Sequence, residues 1–134
     1  MLKLEIVTPE KRVFDADVES VTVPTASGEA GIFPNHAPLV SALKPGILSY
    51  SLKGNTEKLA VSGGFVEVSE NRVSVLADTA ETADEVDLEA ARSDREAAEK
   101  ALAASAASPV EENEPMREKL EAANARIAVA GGTK

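Results

Sequence analysis

Arg72-Val73-Ser74-Val75-Leu76-Ala77-Asp78-Thr79-Ala80, followed after a short acidic stretch by Asp87-Leu88-Glu89-Ala90-Ala91-Arg92, crosses from one hydrophobic period to another. In the first part apolar and polar side chains alternate, the pattern of a strand with one buried face. In the second, Ala, Glu and Arg take over, all strong helix formers, and Gly disappears until Gly131. The division falls between Ala80 and Val86. We therefore expect a β domain over residues 1–84 and a helical tail over 85–134.

Upstream of the division the period of two recurs. Leu2, Leu4 and Ile6 alternate with Lys3 and Glu5. The stretches Val18 to Val23, Ile47 to Leu52, Lys58 to Val61, Phe65 to Val68 and Arg72 to Ala77 read as short strands. Thr8-Pro9, Lys44-Pro45-Gly46, Lys53-Gly54-Asn55 and Glu70-Asn71 supply turn chemistry between them, and Ser62-Gly63-Gly64 marks a tight bend. Asp15 and Asp17 read as turn residues. Short strands at this spacing predict an antiparallel sandwich or barrel. With 3% aromatic residues and no Trp, its core has to be Val, Leu, Ile and Ala.

Downstream, Asp87 is the expected N-cap of a helix from about Leu88 to about Ser105, stopped by Ser108-Pro109. A second helix is expected to start near Glu114-Pro115 and end at Gly131-Gly132. The seam of this antiparallel hairpin is thin. Met116, Leu120, Ala123, Ile127 and Ala130 face Leu88, Ala91, Ala98 and Leu102, with Arg95 interrupting. An Ala-dominated seam gains little, because burial yields roughly 0.8 kcal/mol per methylene. The pattern fits a hairpin that can open, and equally one in which Ala lets two helices pack closely and stay shut.

Composition limits the chemistry. The 134 residues carry a net charge of −9, divided as 7 basic and 10 acidic side chains over residues 1–80 and 7 basic and 13 acidic over 81–134. No cluster of Lys and Arg offers a phosphate-binding surface, so a nucleic-acid partner is not expected. The stretch from Met116 to Lys134 nevertheless has a local balance of +2, suited to an acidic surface. With no cysteine there is no thiolate nucleophile, disulfide or Cys-based metal site. The one histidine, His36, sits in Pro34-Asn35-His36-Ala37-Pro38 without a Gly-x-Ser-x-Gly motif, and reads as structural or interfacial. No catalytic and no metal-binding residues are predicted. Met1-Leu2-Lys3-Leu4-Glu5 resembles neither a secretory nor an import signal, and no run approaches the ~20 apolar residues of a membrane span.

One set of residues carries more than a pattern. Gly28-Glu29-Ala30-Gly31-Ile32-Phe33-Pro34-Asn35-His36-Ala37-Pro38-Leu39, followed by Ala42-Leu43-Lys44-Pro45-Gly46, resembles the signature of the epsilon subunits of F-type ATP synthases. Ser62-Gly63-Gly64-Phe65-Val66-Glu67-Val68 and Val73-Ser74-Val75-Leu76-Ala77-Asp78-Thr79-Ala80 resemble that family's later strands, in order and at the right distances. The resemblance implies a mainly β, α+β fold: a ten-stranded antiparallel sandwich followed by a two-helix hairpin. It also implies a non-catalytic rotor subunit on the central stalk, touching gamma and the c ring, with the loop of Gly28, Glu29 and Gly31 facing the polar loops of the c ring and His36 nearby. Membrane association would come only through the complex, on the cytoplasmic face of a bacterial plasma membrane or the stromal face of a thylakoid.

The resemblance implies regulation too: the hairpin extends along gamma to the catalytic alpha and beta subunits and blocks ATP hydrolysis. Some members of the family hold ATP in the folded hairpin through a motif of Ile or Leu, Asp, two residues, Arg and Ala, plus arginines on the second helix. Here Leu88-Glu89-Ala90-Ala91-Arg92-Ser93 keeps Leu and Arg but has Glu for Asp and Ser for Ala. Arg126 is present, while Ala122 stands where strong binders have Arg. Losing one guanidinium weakens a phosphate site. The implied reading is at most weak ATP binding through Glu89, Arg92 and Arg126, with no resident cofactor. The plainer reading of Glu89 and Arg92 is a surface i,i+3 pair. A free nucleotide-sensing module built on the hairpin is the alternative function.

Overall fold

The alternation at the start of the chain becomes β1 (Leu2–Val7), whose Leu2, Leu4 and Ile6 are wholly buried while Lys3 faces solvent. The structure, a computed structural model, describes residues 1–104 and 110–131. Nine further strands follow: β2 (Arg12–Val18), β3 (Ser20–Thr25), β4 (Gly28–Ile32), β5 (Leu39–Ala42), β6 (Gly46–Leu52), β7 (Asn55–Ser62), β8 (Phe65–Ser69), β9 (Arg72–Leu76) and β10 (Thr79–Thr82). They form two five-stranded sheets, ordered β2-β1-β9-β8-β5 and β10-β7-β6-β3-β4. Leu4, Ile6, Val23, Leu48, Val66 and Val73 meet between them with no exposed surface. Each such side chain contributes roughly 1.5–3 kcal/mol of transfer free energy, so the sandwich is secure without large aromatics. Phe14 and Tyr50 stack at its margin, 4.5 Å between ring centres.

The expected sandwich is therefore present, with one departure from antiparallel order. β1 runs parallel to β9, with Leu4 opposite Val73 and Ile6 opposite Val75. The two strands are separated by most of the domain, so no short turn forces them to oppose each other.

Turn chemistry acts where it was read. Lys53 and Gly54 (φ 53° and 78°) form a two-residue loop between the paired Leu52 and Asn55. Glu70 and Asn71 (φ 50° and 61°) do the same between Ser69 and Arg72. Positive φ at both loop positions matches the right-handed twist of the flanking strands. At Gly64 (φ +85°) any Cβ would fall on the carbonyl oxygen of Leu76, so only glycine fits the bend.

Two segments differ from their reading. Asp15 and Asp17 lie within edge strand β2, not in a turn. Asp is a poor strand former, which hid the strand, yet its charge suits an exposed edge that must not recruit another chain. Asp15 there meets Arg12 at 3.3 Å and Lys3 at 3.6 Å. Gly28 to Gly31 is likewise no open loop. It is most of β4, held by pairing with β3.

The tail forms α1 (Leu88–Ala104) and α2 (Val110–Val129). Asp87 Oδ1 accepts the Ala90 N–H at 3.0 Å, as an N-cap does. Ser105 and Ser108-Pro109 lie outside the described residues. The second helix begins upstream of its expected start, leaving Pro115 inside it. Proline's fixed φ of about −65° is itself helical, so the helix runs through Pro115 at the loss of the one hydrogen bond that it cannot donate. Gly131 (φ +84°) ends α2, its N–H on Ala128 O at 3.1 Å, while Gly132 is outside the described residues.

Ala91 and Ala98 of α1 and Ala123 and Ile127 of α2 are buried, in line with the predicted seam. A second contact was not foreseen. Ala125 and Val129 on another side of α2 are buried with Ala60, flanked by Ile47 and Val86. They seat α2 on the outer face of β6 and β7, so α2 has the sheet on one side and α1 on the other.

Candidate functional site

Three surfaces carry the side chains of interest. The first runs along β4 and the segment after it. Thr25, almost wholly buried, donates its hydroxyl to Gly28 O at 2.5 Å and accepts the Ser27 N–H at 3.2 Å, which closes the β3–β4 turn. Gly28, Glu29 and Gly31 stand exposed on this edge strand, Gly28 at φ +118°. His36 lies past the other end of β4. Its backbone N–H bonds Phe33 O at 3.2 Å and its ring Nδ1 lies 2.5 Å from Ala37 O. The neighbouring Asn35 N–H donates to Asn71 Oδ1 at 2.6 Å, while Asn71 O accepts the Lys3 N–H. The loop is thus tied to the β8–β9 turn and to β1. Glu29 lies within β4, and His36 lies in the segment past its end.

The second surface was missed. Phe65 pairs with Ala42 on one side and Leu76 on the other, and Leu76 with Val7, so one row crosses the outer face of the first sheet. Phe65 is 45% exposed, Leu76 43% and Val40, two residues along β5 from Ala42, 69%. Phe33 adds a further exposed ring at 63%. The signal was available in the sequence. Once Val66 and Val68 point inward, period two sends Phe65 outward.

The third lies where the hairpin meets the sandwich. Arg126 of α2 donates Nε to Glu81 Oε1 at 2.7 Å and Nη2 to Glu81 Oε2 at 3.4 Å, a fork-to-carboxylate grip on β10. Its Nη1 lies 3.5 Å from Asp94 Oδ2 of α1. Arg126 also lines a cavity of about 380 Å³ between the helices, with Asp94, Ala98, Met116, Lys119 and Ala122. Glu89 and Arg92 are exposed, do not line that cavity and form no ion pair with each other. Of the three residues read as a nucleotide site, the fold brings only Arg126 to it. Glu81 and Asp94 were overlooked because neither stands near Arg126 in sequence.

The connection between sandwich and tail is fastened as well. Glu85 Oε1 accepts both the N–H and the hydroxyl of Thr82, at 3.0 and 3.1 Å, while its Oε2 takes the Lys11 ammonium at 2.8 Å. The Lys11 hydrogen bond, then the Thr82 N–H, hold the Glu85 carboxyl down at about 2. The same bond raises Lys11. Among the described residues no group of acids and histidine could hold a metal ion, and no helix is long and apolar enough to cross a membrane.

A two-sheet sandwich with a helical hairpin docked on the outer face of one sheet defines the structural class of this chain. Residues 1–83 match the family model described as ATP synthase, Delta/Epsilon chain, beta-sandwich domain. The ATP synthase epsilon chain of Desulfitobacterium hafniense (strain Y51) is 50% identical over 99 residues, 74% of this chain and 75% of that one. That of Desulforamulus reducens is 53% identical over 100 residues, 75% and 76% of the two chains. A chain of the Euglena gracilis mitochondrial ATP synthase, resolved as OSCP/F1/c-ring in rotational state 1, superposes with a TM-score of 0.75 at 25% identity, covering 95% of this chain and 79% of that one. A chain of the Tetrahymena thermophila mitochondrial ATP synthase central stalk/c-ring shares the fold, with a TM-score of 0.55 at 20% identity over 64% of this chain and 69% of that one. The chain belongs to the ATP synthase delta/epsilon family, and these bacterial relatives carry the epsilon name.

Proposed function

We propose that this chain is the non-catalytic central-stalk subunit that links gamma to the c ring of an ATP synthase and turns with them. The supporting observation is the asymmetry of the sandwich. One sheet is covered by α2, while the other presents the row of Val40, Ala42, Phe65 and Leu76, an apolar surface that suits a permanent partner. Gamma occupies that row. Glu29, exposed beside two glycines on an edge strand, meets the polar loops of the c ring, where a carboxylate pairs with a basic or amide group. His36, on the loop past β4, belongs to the same c-ring and gamma interface. The complex places the chain on the cytoplasmic face of the plasma membrane. Tagged protein from its native cells should bring down gamma with alpha and beta; recovery of none of them would end this reading.

The hairpin serves as a brake on ATP hydrolysis by leaving the sandwich and reaching alpha and beta. Truncation after Val86 should raise hydrolysis by the reconstituted catalytic head, and unchanged hydrolysis would refute the brake while leaving the stalk role intact. A nucleotide-sensing hairpin has one observation in its favour: the cavity between the helices, with Lys119 and Arg126 on its wall. Calorimetry with ATP on the full chain decides it, absence of heat at millimolar ligand retiring Glu89, Arg92 and Arg126 as a site.

A further inference from the structure

Among the described glycines, Gly31 has no internal reason to be one. Gly28, Gly54, Gly63, Gly64 and Gly131 hold positive φ, and at Gly46 a Cβ would press on Pro24 at 2.9 Å. The φ of Gly31 lies outside the left-handed region, and a Cβ there would meet only Cε2 of Phe33, at 3.6 Å, an ordinary contact. Glycine weakens a strand interior, so the folded chain by itself would be more stable with a side chain at this position.

The strand register shows where the backbone points. β4 is the last strand of its sheet and pairs only with β3, with Thr25 opposite Gly28, Pro24 opposite Glu29 and Thr22 opposite Gly31. In an antiparallel pair, mutually bonded positions alternate with unbonded ones. Pro24 has no N–H, and its carbonyl accepts the Lys44 N–H at 2.9 Å on the side away from β4. Pro24–Glu29 and, two residues on, Thr22–Gly31 are therefore unbonded pairs, and the N–H and C=O of Glu29 and Gly31 point off the free edge. Among the described residues no other element bonds to them. Edge strand β2 is guarded by Asp15 and Asp17, whereas β4 carries one charge and neither Pro, Lys nor a register shift. At period two, Glu29, Gly31 and Phe33 set out a carboxylate, a bare position and a ring that is 63% exposed. A cation lying over Gly31 meets the carboxylate on one side and the ring on the other.

We infer that an extended segment of the c ring's polar loops completes this edge, paired main chain to main chain with Glu29 and Gly31, its Arg or Lys side chain lying over Gly31 between Glu29 and Phe33. This rests on the chain's being the stalk subunit, and it turns the Glu29 contact from an ion pair into a strand addition. Charge selects the occupant. A second copy would bring its own Glu29 to the same edge, between chains of net charge −9 each, while a basic segment is attracted.

Tagged full-length chain, purified with its complex from native membranes, provides the test. Amide exchange resolved to single residues should slow at Glu29 and Gly31 by at least about tenfold on assembly, because their N–H groups gain acceptors. Ala30 and Ile32, already bonded to β3, should change least. Gly31→Val puts a good strand former over the slot, so the unfolding midpoint of the free chain should hold or rise while recovery of the c ring falls by about tenfold and that of gamma does not. Undiminished c-ring recovery with Gly31→Val, or unslowed exchange at Glu29 and Gly31 in the assembled complex, would overturn the inference. So would protection that grows with the concentration of the free chain, the mark of a second copy, or that is complete with gamma alone. Recovery of no ATP synthase subunit would strike the stalk reading first, and this contact with it.

Discussion

At Gly64 the backbone adopts a left-handed conformation with the Leu76 carbonyl oxygen where a side chain would begin. Gly64→Ala must move β8 away from the Ala77 region or strain the turn, and should cost at least about 2 kcal/mol, read as a lower urea midpoint. Glu85 makes a prediction of the opposite kind, visible only in pH. Its carboxyl is lowered from the ordinary 4.5 to about 2 by Lys11 and Thr82, so the folded connection favours the charged form. The contact contributes fully above pH 4.5 and is lost as pH falls from there through about 2. Protease sensitivity of the connection from Ala83 to Asp87 should rise over that window. Glu85→Gln should make it high and nearly independent of pH there. Such residues are partly legible in sequence. The double glycine announced a bend, whereas Glu85 looked like one more acid in an acidic tail, because its partner Lys11 lies 74 positions away.

Elements were easiest to read where one face is buried and the other is polar. β1, β9 and the two tight hairpins fall in that class, since period two and positive-φ turn residues speak through adjacent positions. β2 and β4 do not. Aspartates and glycines have little strand preference of their own, and only pairing with β1 and β3 makes them strands. The start of α2 lies upstream of the expected one for a related reason: proline reads as a boundary in sequence, whereas Pro115 stands inside the helix. The α1 cap offers a direct check. Asp87→Ala removes the acceptor of the Ala90 N–H and should destabilise α1 by ~1 kcal/mol, seen as reduced helical circular dichroism with the sandwich intact. The side of α2 that bears Ala125 and Val129 was hidden because two short apolar side chains do not stand out in an alanine-rich helix.

At the scale of the whole molecule, resemblance in the β domain pointed to the family, and matches over residues 1–83 and most of the chain show it. What the sequence left open was which sheet is free. The hairpin answers that by covering β6 and β7, leaving Phe65, Leu76 and Val40 outward. Phe65→Lys should therefore weaken recovery of gamma in co-purification by about tenfold or more, as expected for a charge placed at the centre of an apolar contact, while thermal unfolding of the free chain barely shifts. Equal recovery would move the gamma contact elsewhere on the sandwich. The parallel pairing of β1 with β9 has a consequence for biosynthesis. Leu2, Leu4 and Ile6 leave the ribosome well before the strand that completes their sheet, which ends at Leu76. At about 5–20 residues per second the nascent chain carries that greasy ribbon half-paired for roughly 4 to 14 s, a natural target for a ribosome-bound chaperone. The two helices, translated after the strands, reach a surface that is already built.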